Sequence, residues 1–267
     1  MTKEQNRTIW ILILSSSLIL AITMGVRQSL GLFIAPINSS TSLDIVSISL
    51  ALAIGQFIWG LTQPIFGAIA DKKGSFGVLV FGALLMFFGL ILTPFLTSEF
   101  SIILTLGLLV AAGAGAGSFS ILIGATAKNL PNEKRSFAGG FINAGGSFGQ
   151  FIFAPLAQAI INGFGWIYSM IALAFSTLLT IPLAKILSSK SKKEETNLTN
   201  VIENDIKLKE QLKVALKDKS YLYLNLGFFT CGFHVAFLVT HLPHEVALCG
   251  HSANVSAYSL ALIGLFN

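Results

Sequence analysis

Seven long apolar runs constrain this chain more than any other feature of its sequence. Each is longer than the roughly 20 residues that an α-helix needs to cross about 30 Å of hydrocarbon. None alternates polar and apolar residues as a membrane-spanning strand does, so the runs predict helices. In chain order they are 9–36, 45–70, 75–96, 100–127, 136–161, 164–187 and 221–243.

The composition agrees with this interpretation. Charged residues make up 11% of the chain and hydrophobic residues 54%, whereas soluble domains carry about 25% charged residues. We therefore expect an all-α polytopic membrane protein whose first run is retained as a span. An eighth apolar run, 253–267, ends with the chain and has no polar tail, so we also expect a C-terminally truncated membrane protein.

The cations are distributed on one side of the predicted spans. Apart from Arg27, all of the 17 lysines and arginines precede run one or fall in every second loop, and 38–44, 97–99 and 162–165 contain none. This pattern predicts a cytoplasmic N-terminus and a cell membrane, plasma or bacterial inner, as the location. Because the net charge of +5 lies in these loops, we expect the lipid bilayer and not nucleic acid as the partner.

One long polar stretch divides the chain. Residues 188–220 carry eight of the cations, with Lys185 just before them, together with half of the 12 carboxylates. The short loops before it predict that 1–187 form a six-helix bundle, followed by a cytoplasmic linker and by the start of a second bundle at 221–267. Within the linker, 204–216 has the composition of a short surface helix.

The loop between runs two and three contains a recognisable pattern, Gly67, Asp71, Lys72 and Gly74. Gly67 would let a neighbouring helix approach closely, and Asp71 would accept hydrogen bonds from a helix N-terminus. Lys72 would hold the loop in the cytoplasm. The alternative interpretation is an ordinary tight turn.

Small residues recur at a spacing of four in two runs, which is typical of close helix packing in membranes. The pairs are Gly113 with Gly117 and Gly145 with Gly149. These pairs either permit helices to slide during a conformational change or simply pack tightly. Pro155 lacks a backbone N–H and is expected to kink run five.

Run one holds a single charge, Arg27, in almost uninterrupted apolar sequence. A charge in a membrane span is costly, so such residues usually face a polar cavity or a partner. The carboxylates Asp44, Glu99 and Glu245 fall at the ends of runs and not inside them. Two interpretations therefore stay open: a binding site for an anion, or an arginine that snorkels or is paired structurally.

Five further polar residues are candidates for the same path. Gln56 lies seven residues from Gln63, and Asn143 lies seven from Gln150, so each pair shares a helix face. These amides either line a cavity or bond neighbouring helices. His234 in run seven is a candidate proton relay, because histidine is the side chain best suited to carry protons near neutral pH, with a neutral histidine bonded to a carbonyl as the alternative.

The sequence after His234 does not have the spacing of a metal site. It continues with His241, Pro243, His244, Cys249 and His251. Pro243 is expected to interrupt the helix that would align such ligands. No nucleophile or phosphate-binding motif of a soluble enzyme occurs elsewhere, so we expect no metal, no other cofactor and no enzymatic activity.

Six helices, a charged linker and further helices resemble the major facilitator superfamily, whose two bundles flank a central path. The pattern from Gly67 to Gly74 is similar to that family's G-x-x-x-D-[RK]-x-G loop. Within 133–166, the segments K-R-x-x-A-x-G, A-G-x-x-x-G, P-L-x-Q and F-G-W resemble the monocarboxylate-porter branch. The residues around Arg27 resemble the segment in which porters of that branch carry a lysine that faces the substrate.

The resemblance implies a secondary active transporter of small organic anions, such as monocarboxylates, that works by alternating access, with proton symport as one form of coupling. It assigns Arg27 and His234 to the substrate path and the loop at Asp71 to the conformational switch, and Gln56, Asn143 and Gln150 are further substrate-binding candidates from their helix faces. The remaining helices of the second bundle would then be needed for a full transporter. The alternatives are an exporter of amphipathic, drug-like compounds and a non-transporting fragment.

Overall fold

The computed structural model describes residues 3–96, 98–191 and 215–266, and every regular element in these ranges is helical. Seven helical segments are long and apolar enough to cross a membrane. We call them spans one to seven: Gln5–Ser40, Ile45–Lys73, Ser75–Phe95, Glu99–Ala127, Asn132–Phe164, Trp166–Ser188 and Lys219–Leu248. The shorter apolar helix Ala253–Phe266 follows and is called helix eight.

These bounds confirm the prediction of an all-α polytopic membrane protein. Most helices extend beyond the apolar runs by a few polar residues, because a helix continues into the interface until a cap or glycine ends it. Gly74 and Gly165 end spans two and five with φ of 87° and 91°. The surface helix expected at 204–216 falls almost entirely outside the described residues.

Three of the described spans are interrupted, and span six has the shortest break, at Leu179 between Trp166–Leu178 and Thr180–Ser191. Span one is helical over Lys3–Gln28, forms a 3₁₀ turn over Leu30–Phe33 and resumes as an α-helix over Ile34–Ser40. Span four begins with Glu99–Ile102 and continues as a π-helix over Ile103–Val110. It then runs as Ala111–Ala116 and, after a break, as Phe119–Ala127.

The second break in span four is compensated by span one. Ser118 has extended backbone dihedrals, which leaves carbonyl groups near the break without helical partners. The Thr23 hydroxyl of span one donates to the Gly117 carbonyl oxygen at 3.1 Å. Further along, the Ser16 and Thr126 hydroxyls lie 2.7 Å apart. These buried bonds hold the inner half of span four against span one.

Span one packs most closely against span five through glycine. A Cβ atom at Gly145 would collide with Ser17, and one at Gly149 would collide with the backbone of Ala21. In span four, Gly113 instead lies against the Gly82 carbonyl of span three, and Gly117 against Thr23 of span one. Gly145 and Gly149 therefore form one glycine ridge against span one, whereas Gly113 and Gly117 contact two different spans. Pro155 lies inside span five, whose helix is continuous through it.

The outer ends of spans two and four are tied by a cap. Asp44 precedes span two and its carboxylate accepts the Ser47 N–H at 2.8 Å. The Ser47 hydroxyl donates to the Glu99 carboxylate at the start of span four. Hydrogen bonding from the Ser47 side chain and backbone lowers the pKa of Asp44. The carboxylates of Asp44 and Glu99 also lie at helix N-termini, where they interact favourably with the positive ends of the helix dipoles.

The glycine ridge gives a first prediction. Gly149→Ala places a methyl group against the Ala21 backbone, which cannot move as a flexible side chain would, so spans one and five must separate. We expect a loss of about 1–3 kcal/mol in the free energy of unfolding, typical of overpacking. Thermal unfolding of the purified chain in detergent measures it. The control is Gly140→Ala in the same helix, where nothing lies within 4 Å; equal destabilisation by both variants would contradict the close approach.

Candidate functional site

Arg27 lies in the last turn of the first piece of span one, immediately before the helix breaks. The break is stabilised locally, because the Ser29 hydroxyl donates to the Gly25 carbonyl oxygen at 2.7 Å. The negative end of the helix dipole favours a cation at such a C-terminus. The interruption therefore both positions the guanidinium and provides part of its electrostatic stabilisation.

The contacts of the guanidinium come from span two. Nη2 of Arg27 donates to Oε1 of Gln56. The Trp59 ring centre lies 3.8 Å from Cζ of Arg27, which is a cation–π contact. Gln56 and Trp59 are three residues apart and so lie on one face of the helix. Both partners are uncharged.

No carboxylate within the described ranges forms an ion pair with Arg27. The ion pair found there, Asp71 with Lys128, lies in the loops at the other end of the spans. Arg27 is thus held by a neutral amide and an aromatic face, and its positive charge is not neutralised by these residues.

A small cavity lies beside this arginine. Its volume is about 20 Å³, enough for roughly one water molecule. Spans one, two, four and seven enclose it, with three polar residues among otherwise apolar or small ones. The lining consists of Arg27, Leu30, Gly31, Leu52, Gly55, Gln56, Leu106, Val110, Ala111, Val239 and Thr240.

Irregular backbone brings these walls together. Gly31, in the 3₁₀ turn of span one, lies directly against the carbonyl groups of Val239 and Thr240 in span seven. Only a residue without a Cβ atom fits this approach. On the opposite side, the π-helix of span four supplies Leu106 and Val110; π-helical turns occur frequently at functional sites.

Trp59 was not among the sequence candidates for this site. Its position three residues after Gln56 was the available signal, but choosing it required knowing that Arg27 faces span two. Gln63, seven residues from Gln56, lies instead at the groove beside the loop that follows span two. Sharing a helix face with Gln56 therefore does not bring it to the arginine.

The amides of span five are separate from the cavity. Asn143 is exposed and lines a different cavity between spans one and five and helix eight. Gln150 is 1% exposed, lies against Gly264 of helix eight, and its amide nitrogen has no hydrogen-bond partner among the described residues. The structure therefore does not bring this pair to Arg27.

His234 is also separate from Arg27. Its side chain is exposed, it does not line the cavity, and its Nδ1 lies 2.8 Å from the Thr230 carbonyl oxygen. The carbonyl-bonded alternative describes this geometry, although the residue is not buried. The expectation that Pro243 interrupts span seven is wrong, because the helix Lys219–Leu248 continues through it. Across the described ranges, no group of three or more histidine, cysteine or acidic residues is placed to hold a metal.

The loop after span two differs from its predicted geometry at two residues. Asp71 lies inside the last turns of span two and pairs with Lys128 at 3.4 Å, instead of capping the next helix, whose N-cap is Gly74. Nothing among the described residues lies within 4 Å of a Cβ atom at Gly67. The expected close approach is therefore wrong within these ranges. Both residues instead line an open groove of about 1000 Å³, together with Lys72.

The Asp71–Lys128 pair gives a second prediction. The two side chains are 72% and 58% exposed, and water screens such pairs strongly. Asp71→Asn is therefore expected to change the free energy of unfolding by less than about 1 kcal/mol. Thermal unfolding in detergent checks this, with Lys128→Gln as the matched variant. A loss as large as that of a buried core substitution in both variants would show that the pair is structural.

Comparisons with known proteins agree with this architecture. The model of the Major Facilitator Superfamily matches residues 16–267. Monocarboxylate transporter 13 of Rattus norvegicus is 27% identical over 187 residues, which cover 70% of this chain and 43% of the relative. The oxalate:formate antiporter of Oxalobacter formigenes is 24% identical over 263 residues, covering 97% of this chain and 60% of the relative.

A solved structure supports the fold independently of close sequence similarity. The crystal structure of a D-xylose-proton symporter superposes with a TM-score of 0.64 at 16% identity, covering 96% of this chain and 66% of that one. The chain spans about half the length of the curated relatives it matches. These relatives are transporters, which confirms that the chain is not an enzyme. The chain belongs to the Major Facilitator Superfamily and resembles its monocarboxylate-transporter branch.

Proposed function

We propose that this chain is part of a secondary active transporter of small organic anions, specifically monocarboxylates, with Arg27 as the anion-binding group. The observation that carries the proposal is a positive charge inside the membrane whose described partners, Gln56 and Trp59, are both neutral. A carboxylate from the transported molecule would supply the opposite charge. The names of two relatives, a monocarboxylate transporter and an oxalate:formate antiporter, support the same class of substrate.

The energetic argument concerns the cost of this charge. An arginine at the centre of a membrane helix costs about 2.5–3.5 kcal/mol on insertion scales. The helix terminus, the Gln56 amide and the Trp59 face recover part of it, but they do not cancel the charge. A guanidinium also presents a planar fork of N–H donors that matches a carboxylate. An anion therefore gains more at Arg27 than a neutral molecule of the same size.

The neutral partners are useful for binding because they leave the charge available. An internal carboxylate beside Arg27 would form an ion pair that a substrate must displace. Gln56 occupies one hydrogen of Nη2 and Trp59 covers one face of the guanidinium. The remaining N–H groups are free to bind a ligand in the plane of the fork.

The small size of the cavity and the irregular helices around it support alternating access as the mechanism. The cavity has room for about one water molecule, so a substrate-sized molecule needs its walls to move apart. Access requires the walls from spans four and seven to move, and the irregular segments of spans one and four are the places where backbone geometry can change. A central site at discontinuous helices is the arrangement that secondary transporters use.

We further propose that the N-terminus is cytoplasmic and that the membrane is the cell membrane. The loop cations support this orientation, since those at Lys72 and Lys128 lie at the same end of the bundle. Proton coupling stays a prediction, and the separation of His234 from the cavity gives no support to a role for that residue in it.

The central role of Arg27 can be tested by uptake. In a form of the protein with the full length of its relatives, Arg27→Ala is expected to abolish uptake of radiolabelled monocarboxylates, whereas Arg27→Lys retains part of it because the charge remains. The loss should exceed tenfold, since charge-assisted hydrogen bonds contribute about 1.5–3 kcal/mol.

Arg7→Ala is the control, because Arg7 is an exposed arginine of the same span near the N-terminus. It should leave uptake unchanged. The amount of each variant inserted in the membrane is measured alongside. Wild-type uptake by a correctly inserted Arg27→Ala variant would contradict the proposal.

A second test keeps the contact but cancels the charge. Gln56→Glu places a carboxylate within reach of the Arg27 guanidinium, so the arginine gains an internal counter-ion. We expect monocarboxylate uptake to be lost while the thermal stability of the protein is kept. Gln56→Leu removes the hydrogen bond without adding charge and should retain partial uptake. Wild-type transport by Gln56→Glu would show that the charge of Arg27 does not bind the substrate.

A further inference from the structure

Thr240 is the third polar residue that lines the small cavity, beside Arg27 and Gln56. Thr240 lies in span seven, lines the cavity with Arg27 and Gln56, and is 8% exposed. Within the part of the chain that the structure describes, its hydroxyl makes no hydrogen bond. This oxygen is not one of the fully buried side-chain atoms that lack a partner among the described residues, so solvent or a ligand can reach it.

A second threonine of span seven shows that a threonine hydroxyl can bond to a carbonyl oxygen of its own helix. The Thr230 hydroxyl donates to the Leu226 carbonyl oxygen, four residues earlier, at 3.1 Å. Threonines in membrane helices commonly satisfy themselves in this way. Thr240 does not, although the same helix continues through it. Its hydroxyl is therefore available to a group inside the cavity.

The size of the cavity determines what that group would touch. A volume of about 20 Å³ admits one atom group of the size of a water molecule or a carboxylate oxygen. The polar residues around it are Arg27, Gln56 and Thr240, and the others are apolar or glycine. An oxygen that enters from a ligand is consequently close to all three.

The chemistry of these three residues favours an oxyanion. Arg27 offers only donors, and Gln56 already uses its carbonyl oxygen to accept from Arg27, which leaves its amide N–H groups. The Thr240 hydroxyl can rotate to donate. A carboxylate accepts hydrogen bonds from all of these groups, whereas a neutral molecule cannot balance the charge of Arg27.

We propose that Thr240 is a second anion-binding residue, whose hydroxyl donates a hydrogen bond to the carboxylate held by Arg27. This inference rests on the proposed function, because it needs an anion at Arg27. It adds that the anion links span one to span seven. Without the anion, the contact between these spans at this level is the backbone approach at Gly31. The transported molecule thus contributes to closing its own site.

The test is equilibrium binding of radiolabelled acetate to the purified chain in lipid nanodiscs, with unlabelled formate and propionate as competitors. Thr240→Val replaces the hydroxyl by a methyl group of the same shape and is expected to weaken acetate binding about 10- to 150-fold, the range of a hydrogen bond to a charged group. Thr240→Ser should restore the wild-type affinity. Thr230→Val, in the same helix but away from the cavity, should not change it.

A second readout separates binding from folding. Because the Thr240 hydroxyl has no partner in the described ligand-free chain, Thr240→Val should not lower the Tm measured without acetate. The missing hydrogen bond to the anion should appear only as a smaller rise of Tm when acetate is added. Should Thr240→Val not fold, Thr240→Ala is measured in the same way.

The outcomes are distinguishable. Wild-type acetate affinity in Thr240→Val, combined with lost binding in Arg27→Gln, would overturn this inference and leave the proposed function standing. Equal weakening in Thr240→Val and Thr240→Ser would overturn it as well, because the serine keeps the hydroxyl. Unchanged binding in Arg27→Gln, or no binding of these anions by the wild-type chain, would overturn the proposed function and this inference together.

Discussion

The cost of holding a guanidinium in hydrocarbon governs the arrangement of this bundle around Arg27. The first helix of span one stops one residue later, so its negative end lies beside the cation. Span two contributes an amide oxygen and an indole face, and span seven approaches over a glycine. Each of these features lowers the energy of the charge or excludes water from it. None of them neutralises it, and this difference is what makes the site suited to an anion.

Close packing makes the irregular backbone possible. Buried polar backbone must find a partner in a membrane, and span one supplies one at the break in span four through the Thr23 hydroxyl. Glycines in span five let span one lie deep in the bundle, where it reaches spans two, four and seven. A broken helix near the surface would face lipid with unpaired carbonyls. The glycine ridge and the helix breaks are therefore parts of one arrangement, in which rigid packing surrounds a few places where the chain can change shape.

The spans and the anomaly at Arg27 were predictable from sequence, because long apolar runs and a lone charge in them reflect transfer energies that act on single residues. The breaks at Leu30 and Ser118 were not, because the first is stabilised by a local Ser29 hydroxyl bond and the second by Thr23 of another span, and apolar runs reveal neither. The rotation of each helix about its axis could not be predicted from the sequence either. Asn143, Gln150 and His234 have the right polarity, yet none of them lines the cavity, while Trp59 and Thr240 carried no sequence signal stronger than their neighbours.

The central claim, that an anion contacts Arg27 directly, can be measured by solid-state NMR on the chain in lipid. With carboxyl-¹³C acetate and ¹⁵N-labelled arginine, dipolar recoupling reports the distance between the carboxylate carbon and the guanidinium nitrogens. We predict a contact consistent with N–H···O bonds of about 2.7–2.9 Å between heavy atoms, and its loss in Arg27→Lys, where the exposed Arg7 remains labelled. Acetate that binds with no such contact, or a contact that survives in Arg27→Lys, would contradict the claim.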